Sequence, residues 1–565
     1  MANLSHANNK LSLFPFIPFS ILLIAAITEG YNSNYKNKNS NLNLSETVPS
    51  HFSKFTRPLP TPSSSVCNDN SIPYKSACES LILSLKTTNP SGISVAKDLF
   101  DHSVDFSFNH AGNFVAISKA SSFKSMEDCS ELQEDSLDQL SNVLNRRKKL
   151  SYTKSDIQTW LSAALTNQHT CIESLQNGAF NAKKGEMVSM ARNLSQHLSN
   201  SLSLYVSHYM NKGGGKGDFN GGRKLLTEDG FPGWLSVSDR KLLETPVSEL
   251  KAHAVVAKDG SGTHKSIAEA LRMVAAVFLD GGSGGGGGRD VITVKAGTYN
   301  EYIDIPTKHK NVMLVGEGKD KTVIVGSRSA DGGYSTYKSA TVAGMGDGFM
   351  AKGITFVNSA GPDKHQAVAL RVGADKSVIY QCSIQGYQDS LYTHSKRQFY
   401  RDTDISGTTD FIFGNSAAVF QNCNIFARAS GRNIYITAQG RTDPNQNTGI
   451  SIHNCKISGG SSKSAYLGRP WQKYSRTVIM QSFLDGSINP AGWSPWSGNF
   501  ALSTLYYAEY MNSGPGSSTS GRVKWGGYHA TLSAAEAGKF TVGNFIDGNM
   551  WLPATGVAFD AGLKG

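Results

Sequence analysis

Ser377-Val378-Ile379-Tyr380-Gln381-Cys382-Ser383-Ile384 reads as a short β-branched strand, a polar bend and a second short strand. The pattern returns in Arg397-Gln398-Phe399-Tyr400-Arg401-Asp402-Thr403-Asp404-Ile405 and in Ala417-Ala418-Val419-Phe420-Gln421-Asn422-Cys423-Asn424-Ile425. Later copies run from Gly449 to Ile457 and from Thr477 to Leu484, and an earlier one from Gly353 to Asn358. Cys382, Thr403 and Cys423 hold the same place in copies about 20 residues apart, and later copies are spaced by longer loops. Repeats of this length predict a parallel β-helix, each coil stacked on the last. A β-sandwich would need more Asn-Gly or Asp-Gly hairpin signals than the chain has.

The repeat carries a geometric consequence. Asp389 lies seven residues after Cys382, and Asp410 seven after Thr403. Stacked strands are about 4.8 Å apart, so the two carboxyl groups are expected side by side. Gln388 precedes Asp389, and counting back from Asn358 puts His365 and Gln366 at the same height on the preceding coil. Two carboxylates this close cannot both ionise cheaply, so one keeps its proton to a higher pH. A neutral acid beside a carboxylate is an acid/nucleophile pair, and Gln amides can donate to an oxyanion. Spacing alone leaves other readings open: an acidic pair on a solvated loop, a calcium site, or the carboxylates of a glycosidase.

Working outward, 565 residues exceed one ordinary core. The apolar run Leu11 to Ile27 predicts a secretory signal or signal anchor over residues 1–28, followed by a polar, disordered segment over 29–65. A net charge of +11 draws nucleic acid, anionic lipid or acidic polymers. The chain has no Arg-rich reading helix or aromatic RNA motif, and a secretory signal favours an acidic extracellular polymer. Neither C-x-x-C nor H-E-x-x-H occurs, which speaks against a zinc site. Residues 66–211 place apolar side chains at three- and four-residue spacing, for instance over Ser130 to Leu144 and over Asp156 to Leu175, the latter with Ser155-Asp156 as cap. A four-helix bundle is the simplest outcome, and its four cysteines read as two disulfides. Asn43 and Asn193 begin glycosylation sequons. The linker 212–246 contains one tetrapeptide twice, Arg223-Lys224-Leu225-Leu226 and Arg240-Lys241-Leu242-Leu243. It suits a processing protease, or is simply a solvated charged linker. Gly281, Ser283 and Gly285 match G-x-S-x-G, but a helix precedes and a strand follows, the reverse of a nucleophile elbow.

Five motifs in one order resemble the plant pectin methylesterases over Glu249 to Leu563. They are Gly297-Thr298-Tyr299-Asn300-Glu301, Gln366-Ala367-Val368-Ala369-Leu370-Arg371, Gly386-Tyr387-Gln388-Asp389-Ser390-Leu391-Tyr392, Asp410-Phe411-Ile412-Phe413-Gly414-Asn415 and Leu467-Gly468-Arg469-Pro470-Trp471. The resemblance implies a right-handed parallel β-helix over 247–565 and an aspartyl esterase acting on methyl-esterified homogalacturonan. Asp410 would be nucleophile, Asp389 general acid and base, Gln366 and Gln388 the oxyanion donors. Arg469 would hold Asp410 ionised, and Trp471 would offer a face to sugar rings. Thr336, Tyr392 and Phe413 would line the cleft. No metal or organic cofactor is implied.

The stretch Val66 to Met210 resembles the pectin methylesterase inhibitor domain, with Cys67–Cys78 and Cys129–Cys171 as the implied disulfides. The implied life history is secretion to the cell wall as a pro-form, with cleavage by a subtilase-type protease at the two tetrapeptides. A proteinaceous esterase inhibitor is a further implied partner, nucleic acid is not, and the mature enzyme is expected as a monomer. Thr403 stands where the family often has a cysteine paired with the counterpart of Cys423. A catalytically silent pectin-binding β-helix, a polygalacturonase or lyase, and an N-terminal half that inhibits other esterases are the competing readings.

Overall fold

From Gly353 onward the chain turns sharply between two strands in each coil, and one residue in the left-handed region makes that turn. Gly353, Gln381, Asp402, Asn422, Asn454, Gln481 and Met511 occupy it in successive coils, with φ between 48° and 64°. Glycine and asparagine enter this region at little cost; Gln481 and Met511 are held there by the pairing of the strands on either side. The result, in a computed structural model, is a β-helix of three parallel sheets with 11, 7 and 8 strands. Residues 67–88 (except 69 and 71), 96–119, 124–147, 152–176, 182–210, 251–279, 289–429, 431–460 and 464–565 are described.

The register makes columns of like residues. Ser377 pairs with Gln398, Leu370 with Leu391, and Ser383 with Asp404. Ile384, Ile405, Ile425, Ile457 and Leu484 therefore stack in consecutive coils, all buried. Burying each aliphatic side chain contributes about 1.5–3 kcal/mol, and a column repeats that gain at every coil. Cys382, Cys423 and Cys455 are free and buried, and the Thr403 hydroxyl sits between the first two, donating to backbone carbonyls. The helix Ile267–Leu279 packs Ile267, Ala270, Leu271 and Val274 onto the first coils, covering a core that would otherwise end in water.

The N-terminal helices are α1 (Lys75–Thr88), α2 (Ala96–Lys119), α3 (Lys124–Leu144), α4 (Lys154–Gln176) and α5 (Ala182–Tyr205). Leu99, Phe100, Val104, Leu140, Leu161, Leu165, Leu198 and Leu202 from α2 to α5 form one core. Disulfides join Cys67 to Cys78 and Cys129, on α3, to Cys171, on α4. The cap of α4 is two residues earlier than Ser155. Thr153 is the cap: its hydroxyl accepts from the Asp156 N–H at 3.1 Å, and the Asp156 carboxylate accepts from the Thr153 N–H at 2.7 Å. This reciprocal arrangement satisfies two orphan donors together, where a cap at Ser155 would satisfy one.

The two folds share a hydrophobic cluster. Phe114, Met126, Leu132, Leu175 and Met187 of the bundle pack with Tyr337, Val368, Tyr392 and Phe413 of the β-helix. Asn193 is exposed on α5. Asn43, the leader, the 29–65 segment and both Arg-Lys-Leu-Leu tetrapeptides lie outside the described residues.

Candidate active site

Leu391 pairs with Ile412, so Asp389 and Asp410, each two residues earlier, stand in the same place on adjacent coils. The Asp389 N–H donates to the Thr409 carbonyl at 2.9 Å, tying the two turns together. Both aspartates are left-handed, with φ of 63° and 52°. Aspartate tolerates that region better than bulky residues do, and such turns collect at functional sites because surrounding pairing holds them.

The Arg469 guanidinium grips Asp410 with two parallel hydrogen bonds, Nε to Oδ1 at 2.8 Å and Nη2 to Oδ2 at 2.6 Å. Bidentate charge-assisted bonds of this kind are among the strongest in proteins. Burial raises the pKa of both carboxyls. For Asp410 the rise is opposed by Arg469. For Asp389 burial is reinforced by the Asp410 charge, with a smaller opposing effect of Arg469, and the proton is held well above the ordinary carboxylate range. The pair is therefore asymmetric: Asp389 is the proton holder and Asp410 the group that ionises first.

Both aspartates line a cavity of about 300 Å³, together with Thr336, Gln366, Gln388, Tyr392, Phe413, Arg469 and Trp471. The Gln388 carbonyl accepts from the Ala367 N–H at 3.2 Å, so Gln366 is one residue off the height read from the repeat. His365 does not join the site; it is exposed, with Nε2 3.6 Å from Asp331. Tyr392 and Phe413 stack at 4.2 Å, and Trp471 meets Phe413 edge-on at 5.8 Å, giving the cavity an aromatic wall. Gly440 makes room for that wall, because a Cβ there would lie 2.8 Å from Cε3 of Trp471.

Sequence reasoning passed over two sets of residues. Tyr435 and Trp496 lie over the Arg469 guanidinium at 4.1 and 4.4 Å, and Trp496 also lines the cavity. The only hint was a pair of tryptophans in Trp493-Ser494-Pro495-Trp496. The second set comes from the bundle: Thr170, Glu173 and Ser174 of α4 complete the cavity lining. The Thr170 hydroxyl meets His394 Nε2 at 3.0 Å, and Gln472 donates to Glu173 at 3.4 Å. Burial pushes the Glu173 carboxyl up to about 7, with the Gln472 contact acting against it. Nothing in a helical apolar pattern tells which of its polar residues will face another domain.

Comparison with known proteins matches this arrangement. The Pectinesterase family model fits residues 253–549, and the plant invertase/pectin methylesterase inhibitor model fits residues 63–204. Probable pectinesterase/pectinesterase inhibitor 35 of Arabidopsis thaliana is 62% identical over 440 residues, 78% of this chain and 81% of that protein. Probable pectinesterase/pectinesterase inhibitor 16 of the same plant is 52% identical over 533 residues, 93% of this chain and 94% of that protein. The solved pectin methylesterase from carrot is 51% identical, with a TM-score of 0.53, and corresponds to 56% of this chain and 99% of its own. A β-helix that sets two buried aspartates side by side, with helices of the inhibitor type laid over them, thus places this chain in the pectinesterase family.

Proposed function

We propose that this pectinesterase hydrolyses the methyl esters of galacturonate units in pectin through an acyl-enzyme on Asp410. The observation that carries the reading is the asymmetry of the pair: Arg469 bonds Asp410 twice, while Asp389 faces that charge without a cation of its own. An Asp410 oxygen attacks the ester carbonyl carbon, and the carbonyl oxygen becomes an oxyanion within reach of the Gln366 and Gln388 amides. As the tetrahedral adduct collapses, the C–O bond to the methyl group's oxygen breaks and Asp389 gives its proton to the departing methanol. Asp389, now a carboxylate, takes a proton from water; the hydroxide attacks the acyl carbon, frees Asp410 as its carboxylate and leaves a galacturonic acid group, which then gives its proton to solvent. Ester and water become acid and methanol, and Asp389 regains its proton.

The α4 residues in the cavity lining support a second part of the proposal: the bundle is a pro-region that blocks the cleft. A polymer cannot lie in a groove that Thr170, Glu173 and Ser174 already occupy. Secretion to the cell wall through the 1–28 leader, glycosylation at Asn43 and Asn193, and release by a subtilase-type protease cutting the 212–246 linker at Arg223–Leu226 or Arg240–Leu243 complete this reading. Methanol release from esterified pectin, without new reducing or unsaturated ends, tests it. Near-normal methanol release by Asp410→Ala would remove the nucleophile assignment, and equal rates before and after linker cleavage would remove the blocking role.

A further inference from the structure

Away from the catalytic pair, the bundle and the β-helix meet along a second line. Asp128, Glu131, Asp135 and Asp138 recur on α3 at intervals of three and four residues, which puts them on one helix face. Each reaches a β-helix side chain. Asp128 accepts from the Ser335 hydroxyl at 2.6 Å. Glu131 accepts from the Tyr337 hydroxyl at 2.8 Å and from Lys338 at 2.5 Å, and pairs with Arg371 at 3.4 Å. Asp135 accepts from Lys396 at 2.7 Å and Asp138 from Lys310 at 2.9 Å. With about 1.5 Å of rise per residue, successive carboxylates follow each other every 4.5–6 Å or so along the axis, close to the length of one sugar unit in a linked chain.

Arg371 shows what this line is for. It is 1% exposed and stacks on Tyr337 at 3.4 Å, with Nε lacking a hydrogen-bond partner. Among the described residues, the carboxylate within ion-pair distance of it is Glu131, which belongs to the bundle. A guanidinium buried without a counter-charge is costly; within the β-helix Asp304 acts on it only at longer range, so its direct ion pair is supplied by the bundle. The neighbouring cations are shared with two of the β-helix's own carboxylates: Asp304 at 3.8 Å from Lys338, and Asp347 at 3.2 Å from Lys396 and 3.9 Å from Lys310. Cations remain in excess along the line. Its inner end is continuous with the catalytic cavity, because Thr336 and Tyr337 line that cavity.

We infer that Lys338, Arg371, Lys396 and Lys310 form a track for consecutive free carboxylates of a galacturonan, and that the acidic face of α3 occupies this track in the uncut chain as a carboxylate mimic. The inference rests on the esterase reading and adds to it a site for the product. A stretch already stripped of its esters is held beside the cavity, which brings the next ester to the aspartates.

The test uses the chain folded whole, cut afterwards at a specific protease site placed in the linker, and resolved into halves by ion exchange. The solved carrot pectin methylesterase matches 56% of this chain over 99% of its own length, so the counterpart of this unit is a chain of about the β-helix's size. In an Asp410→Asn background, which does not consume the oligomers, calorimetry compares fully de-esterified with fully methyl-esterified galacturonan oligomers of equal length. The track predicts that the de-esterified oligomer binds at least about tenfold more tightly, the combined effect of several ion pairs that each contribute a little. Lys338→Gln with Lys310→Gln, at two partly exposed positions, should remove most of that preference, and the uncut chain should show none. A β-helix half without preference for free carboxylates, or with a preference that the double variant keeps, overturns the inference. Methanol release by the Asp410-containing half separates the two claims: release without carboxylate preference sinks the track alone, and preference without release sinks the esterase reading alone.

Discussion

Glu173 offers a sharp test of how the bundle is held over the cleft. Its carboxyl lies in the catalytic cavity with its pKa pushed up to about 7 by burial. In the undocked bundle it should titrate near the ordinary value for glutamate. A group whose pKa is higher in the docked state favours docking fully below its undocked value, and that contribution is lost as pH rises through 7. The loss is about 1.4 kcal/mol per pH unit across that window, on the order of 3 kcal/mol by neutrality, or roughly a hundredfold in affinity. Glu131 acts in the opposite sense at the acid end. Burial raises its pKa, but Arg371 and Lys338 outweigh burial and bring it down to about 2. Its contribution to docking is present above the ordinary value and fades as pH falls towards 2. Docking should therefore be tightest near pH 5. The perturbation is Glu173→Gln, which leaves an amide able to face Gln472 but carries no charge. The assay is dissociation of the bundle from the cut protein, by size exclusion or fluorescence anisotropy, from pH 5 to 8. The native pair should loosen about a hundredfold across this range, and Glu173→Gln should flatten most of the change. An unaltered pH slope in Glu173→Gln would refute the reasoning, because the proton would then be taken up elsewhere.

Three further outcomes follow from the site. Asp389→Asn and Asp410→Asn should each lower methanol release by about a thousandfold or more, with unchanged thermal unfolding of the cut enzyme, since both side chains lie at a cavity rather than in packed core. Arg469→Lys should keep a positive charge but lose the parallel pair of bonds; the rate should fall by about ten- to a hundredfold, and the acid limb of the pH profile should move up as Asp410 loses the group that opposes its burial. Gly440→Ala should push Trp471 from its place, raising KM for pectin more than it lowers kcat, whereas a small insertion in the 212–246 linker should change neither parameter of the cut enzyme.

Much of this molecule was legible before any coordinates, and the reason is the repeat. In a β-helix each coil pairs with the next, so counting residues along the chain is equivalent to measuring height along the axis. Asp389 and Asp410 could be placed side by side from Cys382 and Thr403 alone. The same count was a residue off at Gln366 and wrong for His365, because the loop before them breaks the period. It could say nothing of Tyr435 and Trp496, which reach Arg469 from beyond longer loops. The apolar spacing of α3 and α4 disclosed helices and an inner face. It did not disclose that Glu131 would meet Arg371, 240 residues away, or that Glu173 would meet Gln472, 299 away. Periodicity reports what one element buries against its own domain; which outer faces of two rigid domains fit together depends on shape and charge brought into contact only after both have folded. The composition and the repeat determined the β-helix and its aspartate pair, and docking decided that Glu173 of the bundle lies in the cavity of that pair and that the α3 carboxylates meet the cations beside it.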